Sequence, residues 1–297
     1  MINAPALFAY ARERHGVYVR RRNGHSWPWT TDPILQQYRF CNVFRELDVV
    51  TRWFREWATT YISTEHADDP VQHLRSAVIF RYLNRVETGQ ELLYPITHPM
   101  PLGDMLDYVE SVLRRMVAER RQILGAAYMI KTPVGQDKVT GLLEVWRGVL
   151  SKEQSIVNEI KAAGTLKAAT SILASHWFCG PFMAYEIVTD LRWTPLLNTA
   201  PDIMTWANPG PGAARGAGRV IGGPATHFNR SSLNDLAMIH NLMSDLLEMS
   251  TRPEMWSPEW PRWEMRDVEH TLCEFDKYER ARLGEGKPKQ LYRMENN

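Results

Sequence analysis

The stretch Thr165–Arg192 reads T-L-K-A-A-T-S-I-L-A-S-H-W-F-C-G-P-F-M-A-Y-E-I-V-T-D-L-R, and its spacing decides the fold class. Leu166, Ala169, Ile172 and Leu173 recur at helical intervals, Gly180-Pro181 interrupts them, and Met183, Ile187 and Val188 resume the period. A pair of helices joined by a glycine-bearing turn follows. Backbone N–H groups at such a turn, and at the second helix's N-terminus, can face a phosphate, with Gly180 permitting close approach. Glycine-turned helix pairs also serve as plain bundle corners, so both readings stand on these residues alone.

Downstream, Asp202 follows Ala200-Pro201 where another helix can begin, and a good N-cap is a sufficient reason for an aspartate there. Trp206-Ala207-Asn208-Pro209-Gly210-Pro211-Gly212 is then too rich in Pro and Gly to stay helical. This order of hairpin, connector, aspartate and glycine-rich loop resembles the helix-hairpin-helix DNA glycosylases, whose hairpin is followed by a catalytic aspartate. With Gly180 as the first hairpin glycine, the position of the Schiff-base lysine in the bifunctional members falls on Ala184, and Asp202 lies 202 − 184 = 18 residues further on, the family's spacing. The aspartate is present and the lysine is absent, which argues against a lyase reaction, since that step needs the amine as nucleophile. The second hairpin glycine is replaced by Phe182.

Composition bounds the rest. The 297 residues carry a formal net charge of +1, so any contact with DNA must be a local patch. Cys41, Cys179 and Cys273 are too few for an all-cysteine four-ligand iron–sulfur cluster. The pairs His176/Cys179 and His270/Cys273 could make a tetrahedral zinc site if the fold joined them, or could simply be packed. With no signal peptide and no apolar run that would span a bilayer, a reduced cytoplasmic setting is expected.

Towards the N-terminus, Ala4 to Arg14 reads as a short helix, and Val17-Tyr18-Val19 with Arg20, Arg21 and Arg22 as a strand or an extended arm. The three arginines form a cation cluster able to meet phosphates, or a solvated loop. A long helix is expected from Ile34 to Tyr61, with Tyr38, Phe40, Val43, Phe44, Leu47, Val50, Phe54 and Trp57 as its apolar stripe. Arg39, Asn42, Arg45, Asp48 and Arg52 then form a polar ridge that could hold phosphates or a charged substrate, or face water. Helices are also expected at His73–Asn84, Gly103–Ile123, Thr140–Leu150, Lys152–Ala163, Ser232–Ser250 and Glu264–Arg282. Trp256, Trp260 and Trp263, set among prolines, are expected to wrap the surface.

Four separated runs, Y-R-F-C-N-V-F-R-E-L-D-V-V-T-R-W (38–53), M-A-Y-E-I-V-T-D-L-R (183–192), T-W-A-N-P-G-P-G-A-A-R-G (205–216) and E-H-T-L-C-E-F-D-K-Y-E-R (269–280), resemble the alpha-glutamyl/putrescinyl thymine pyrophosphorylases of phages. That family is a divergent branch of the helix-hairpin-helix glycosylases and works in thymine hypermodification. The same helical module is found joined to 5-hydroxymethyluracil DNA kinases. These residues contain no G-x-x-x-x-G-K-[ST] phosphate cradle, so the chain is expected to be the transferase rather than the kinase.

The resemblance implies displacement of pyrophosphate from 5-pyrophosphorylmethyl-deoxyuridine in DNA by the amino group of an amino acid, glycine being a reasonable guess, or of a polyamine. A 5-hydroxymethyluracil DNA kinase would be the functional partner, and the infected host cell the setting. Arg215 and Arg219 are the candidates to receive the departing pyrophosphate. Asp202 is the first choice for the carboxylate that takes the amine's proton or stabilises a cationic methylene, and Glu186 the second. Glu186 and Asp190 can equally pair with Arg192 at the surface. Trp206 and Asn208 are candidates to stack on the base and read its edge. By resemblance Glu269 and His270 lie near the pocket, His270 as a second acid or base, and Lys277 and Arg280 near phosphates; a salt-bridged closing helix is the rival.

The expected architecture is an all-α, glycosylase-like single domain over residues 1–297, with two helical lobes around a cleft, the hairpin at about 165–190, a C-terminal motif helix at about 264–282 and a flexible tail at about 284–297. No cofactor or resident metal is implied, although a divalent cation could assist pyrophosphate. Two other functions fit the same residues: a monofunctional glycosylase-like hydrolase, and a DNA-binding accessory to a separate kinase.

Overall fold

Short polar side chains start many of the helices by accepting from orphan N–H groups of the first turn. Asp32 caps α2 (Pro33–Gln37), Asp69 caps α4 (Pro70–Leu83), Asp137 caps α7 (Lys138–Leu150), Thr165 caps α9 (Leu166–Ala174) and Ser232 caps α12 (Leu233–Met249). The others are α1 (Ala4–Arg22), α3 (Val49–Trp57), α5 (Val86–Glu91), α6 (Leu102–Ala118), α8 (Glu153–Ala163), α10 (Gly180–Leu191), α11 (Pro211–Val220) and α13 (Met265–Arg282). The computed structural model describes residues 2–57, 69–92, 98–125 and 130–292. Among them it is all-α: thirteen α-helices, one 3-10 turn at Arg45–Leu47, no strand, and a single isolated bridge between Tyr38 and Leu291. No helix among these residues is long and apolar enough to cross a membrane.

The chain divides into two compact units, Met1–Asp48 with Ile203–Asn297, and Val49–Asp202. In the second unit the hairpin forms as its periodicity requires. α9 and α10 pack together, and α10 lies against α4, whose residues from Gln72 to Leu83 are all buried. The turn between them uses left-handed backbone at Phe178 (φ 60°) and Gly180 (φ 51°). The arginines of α6 and its C-terminal end face outward, Arg114 to Glu110 and Arg115 and Arg121 to Glu91.

In the first unit α13 is the organising element, and α11 packs on it most extensively. Two glycines make that approach possible. A Cβ on Gly212 would stand 2.2 Å from Cys273 Sγ, and one on Gly216 would stand 2.1 Å from the Leu272 carbonyl oxygen. The glycines of P-G-P-G-A-A-R-G therefore set helix packing as well as the loop.

Four sequence expectations are corrected here. α1 is one helix through Gly16 to Arg22, so Arg20, Arg21 and Arg22 occupy its last turn and not an arm. The long helix expected from Ile34 is broken between Gln37 and Val49, and its expected end, Tyr61, lies outside the described residues. The break has a local cause: the Cys41 N–H donates to the Glu274 carboxylate at 2.9 Å and the Asn42 N–H to Asp48 at 3.0 Å, so side chains take the donors a helix would use. Trp256 and Trp263 do not wrap the surface but are buried, 3% and 2% exposed, in an aromatic cluster with Phe8, His15 and Phe44. The tail is tied down as far as Tyr292, whose ring stacks on Trp27 at 5.3 Å and whose N–H donates to the Gln37 carbonyl.

Candidate functional site

In the second unit the hairpin's charged residues are bound into the core. Glu186 is 3% exposed and Asp190 1%, so neither forms a surface pair. Both face the buried Arg81, which donates from Nε and Nη2 to the two Asp190 oxygens, lies 3.8 Å from Glu186 and donates from Nη1 to Asn84 at 3.2 Å. Arg192 lies over the Trp193 ring at 4.1 Å. Asp202 does not open a helix of its own. Its two carboxylate oxygens accept from Leu166 N (2.8 Å) and Lys167 N (2.9 Å), so it closes the N-terminus of α9 across the connector.

The hairpin turn presents a different surface. No atom lies within 4 Å of a Cβ built on Gly180, and Trp177, Phe178 and Phe182 are 51%, 37% and 51% exposed. Those rings offer faces on which bases could stack.

The first unit gathers three of the four runs quoted above. On α13, Asp276 is fully buried, and three arginines converge on it: Arg215 Nε at 2.8 Å, Arg219 Nε at 2.9 Å and Arg280 Nε at 3.3 Å. Arg219 also reaches Glu285 at 2.5 Å. Arg215 and Arg280 keep 39% and 38% of their side chains exposed, so part of each planar donor fork still faces solvent. Two turns earlier, Glu269 accepts the Gly210 N–H at 3.0 Å, at the head of α11. Trp206 and Asn208, half-buried, lie just before that point. Asp276 was not singled out from the sequence; its spacing of four to Arg280 was the available signal.

Beside this cluster the loop after α2 meets α13. A narrow crevice is lined by Tyr10, Cys41, Asn42, Val43, His270, Thr271 and Glu274. Asp48 accepts from both the backbone N–H and the side-chain amide of Asn42, and Arg14 in turn donates to the Asn42 side-chain oxygen at 2.9 Å. Lys277 Nζ sits 3.1 Å from Glu274 and 4.7 Å from the Phe40 ring centroid. The ligand atoms of Cys41, Asp48 and His270 all lie within 4.8 Å of one another. His270 is thus grouped with Cys41 and Asp48. The possible joining of His176/Cys179 with His270/Cys273 is not formed as a cluster among the described residues, and those pairs fall in different units.

Electrostatics mark the crevice. Burial pushes the Asp48 carboxyl up, against the pull of the Asn42 N–H and Arg45. Burial also acts to raise Glu274, but Lys277, His270 and the Cys41 N–H outweigh it and hold that carboxyl below its ordinary range. The Cys41 thiol is pushed well up by burial and then by Glu274 and Asp48, although the residue as a whole is exposed. Burial raises Cys273 to about 12, an inert, packed thiol.

The remaining candidates are dispersed. Arg39 is exposed in the non-helical segment, Arg45 sits in the 3-10 turn, and Arg52 lies on α3 in the other unit, 3.8 Å from Glu56. The expected ridge of Arg39, Asn42, Arg45, Asp48 and Arg52 therefore does not exist as one helical face. At the end of α1, Arg20 pairs with Glu13 at 2.6 Å, Arg21 lies over Trp29 and Arg22 meets the Tyr18 hydroxyl.

Comparison with known proteins gives the chain's relatives. A curated relative, the 5-hmdU DNA kinase of Bacillus phage SP10, is 22% identical over 281 residues, covering 90% of this chain but 43% of the relative. The chain thus spans less than half the length of that relative. No solved structure matches. The family described as "5-hmdU DNA kinase, helical domain" matches residues 3–288, nearly the whole chain, and the chain belongs to that family.

Proposed function

We propose that the chain is a phage DNA base-hypermodification transferase, acting in the infected host cell on DNA that carries 5-pyrophosphorylmethyl-deoxyuridine. An amine nitrogen of an amino acid, glycine being the simplest, or of a polyamine forms a C–N bond to the exocyclic methylene. The C–O bond to pyrophosphate breaks, its electron pair leaves on the pyrophosphate oxygen, and the ammonium proton passes to a base. The observation that carries this reading is the gathering of Arg215, Arg219 and Arg280 on Asp276. One carboxylate fixes three guanidinium groups, two of them partly exposed, which is the preorganised cationic surface a departing pyrophosphate needs.

His270, beside Asp48 and Glu274, is the proton acceptor of this proposal, and Lys277 an accessory cation. Trp206 and Asn208 border the base, which must leave the stack to be reached. The hairpin, with its open Gly180 and exposed aromatic rings, supplies a DNA contact in the manner of helix-hairpin-helix glycosylases. Asp202 and Glu186, the first-choice carboxylates from sequence, hold α9 and Arg81, so their substitution reads on the hairpin's stability before it reads on chemistry. The substrate is supported by the family, whose curated member is named for action on 5-hmdU DNA.

The match to part of a phage kinase favours a second reading, a DNA-binding module that serves a kinase without chemistry of its own. One experiment separates the two. DNA containing 5-hydroxymethyluracil is treated with a 5-hydroxymethyluracil DNA kinase and ATP, then with this protein and a panel of amino acids and polyamines, and digested to nucleosides for mass measurement. A nucleoside bearing the amine, lost in Arg215→Ala, supports the transferase. Retention of the pyrophosphorylated nucleoside alongside tight DNA binding supports the accessory module, and release of a free base would point to a hydrolase.

A further inference from the structure

We propose that Cys41, Asp48 and His270 form a binding site for a single borderline-soft divalent cation, with Zn²⁺ as the occupant the donor set selects. Two segments far apart in sequence supply it: Cys41 and Asp48 from the loop after α2, His270 from the second turn of α13. Their sulfur, oxygen and nitrogen atoms lie within 4.8 Å of one another. In a tetrahedral zinc site, bonds of about 2.0–2.3 Å place neighbouring ligand atoms roughly 3.2–3.8 Å apart. Contraction of about an ångström, within the reach of side-chain rotation, brings the three to coordination distance. Thiolate and imidazole ligands suit zinc and disfavour Mg²⁺ and Ca²⁺, which take oxygen.

Two further observations point to a ligand here. The Tyr10 hydroxyl and Thr271 Oγ1 both belong to residues lining the same crevice, are 5% and 1% exposed as residues, and have no hydrogen-bond partner in the protein. Buried hydroxyl groups are seldom left so, and a water or substrate oxygen on the cation's fourth position is the kind of group they would meet. Asp48 is also held as a metal ligand needs to be. Both hydrogen bonds from Asn42 fall on Asp48 Oδ1, which leaves Oδ2 for the cation, while Arg14 fixes Asn42 in its turn. Three protein ligands with one open position is the arrangement of a catalytic rather than a structural zinc site.

The site rests on these three residues alone and stands whether or not the chain is a transferase; while the cation is bound, the acceptor nitrogen of His270 is a ligand and does not take the amine's proton. Its test uses Co²⁺ as a spectroscopic substitute for Zn²⁺. Titration of the full chain is expected to bind one equivalent, displaceable by Zn²⁺, with the near-ultraviolet thiolate-to-cobalt charge-transfer band and the visible bands of tetrahedral Co²⁺. Cys41→Ser should abolish the charge-transfer band and Cys273→Ser should keep it. Asp48→Asn and His270→Gln should each weaken binding at least about tenfold. Absence of the band in the unmodified protein, or its survival in Cys41→Ser, would overturn the site; the first of these does not depend on any variant folding.

Discussion

The two units bury charge in opposite ways. In the second, one guanidinium, Arg81, is surrounded by oxygen from Asp190, Glu186 and Asn84 in the core. In the first, one carboxylate, Asp276, is surrounded by the guanidinium groups of Arg215, Arg219 and Arg280. A guanidinium ringed by acceptors has its donors spent and serves the fold. A carboxylate ringed by three guanidinium groups cannot use all their donors, so the surplus stays available for an incoming anion. Under the proposed function the polar residues in the hairpin serve as scaffold and those on α13 as the site, the reverse of the weight their sequences invite.

The sharpest way to break this contrast is Arg81→Met. It strands two buried carboxylates and is expected to cost about 3–5 kcal/mol in urea unfolding. A loss below about 1 kcal/mol would show that the cluster is not the compensated core described here. Gly216→Ala comes next, because its Cβ would meet a backbone oxygen at 2.1 Å and must push α11 off α13. The expected cost is about 2–3 kcal/mol, with loss of the arginine cluster's geometry. Gly180→Ala meets no atom and carries only the left-handed strain, about 1 kcal/mol. Similar losses in the two variants, measured side by side by thermal unfolding, would remove the distinction between a glycine kept for space and one kept for conformation.

A pH experiment bears on the first unit alone. His15, packed among Phe44, Trp256 and Trp260, has its pKa lowered by burial, and further by Arg14, to about 4 from an ordinary 6.5. Its folded pKa lies below its unfolded one, so its contribution is complete above pH 6.5 and is lost as the pH falls through 4. Stability should drop by about 1–3 kcal/mol over that window, and His15→Phe should flatten the drop. An unchanged slope in the variant would place the acid sensitivity elsewhere. The smallest expected effect on stability is that of Arg215→Ala, under about 1 kcal/mol because the side chain is 39% exposed. Its transfer rate should nevertheless fall about 100- to 1000-fold, a split between folding and rate that the Arg81 variant should not show.

Residues close in sequence were legible and residues far apart were not. The hairpin, α12 and α13 follow from apolar spacing and from caps such as Thr165 and Ser232, each a matter of a few neighbouring residues. The apolar stripe from Tyr38 to Trp57 was correctly expected to be buried in part, Phe44 and Phe54 almost completely, yet the helix assigned to it breaks. What breaks it is Glu274, 233 residues from the Cys41 N–H that it captures. The tryptophans after Pro253 were misplaced for a similar reason: prolines forbid a helix there, but burial depends on α1 and the loop after α2, which local composition does not encode.

Sequence alone determined that this chain is helical, that it turns at Gly180, and that four charged and glycine-bearing runs distinguish it. Periodicity, capping and backbone freedom act over one or two helical turns, so they can be read directly. Tertiary structure decided what those runs do: Asp202 went to the end of α9, Glu186 to Arg81, the arginines of α11 to Asp276, and His270 to Cys41 and Asp48. A charge written in sequence carries no mark of its burial or its partner. Those are set when distant helices close on one another and each buried charge must find its opposite.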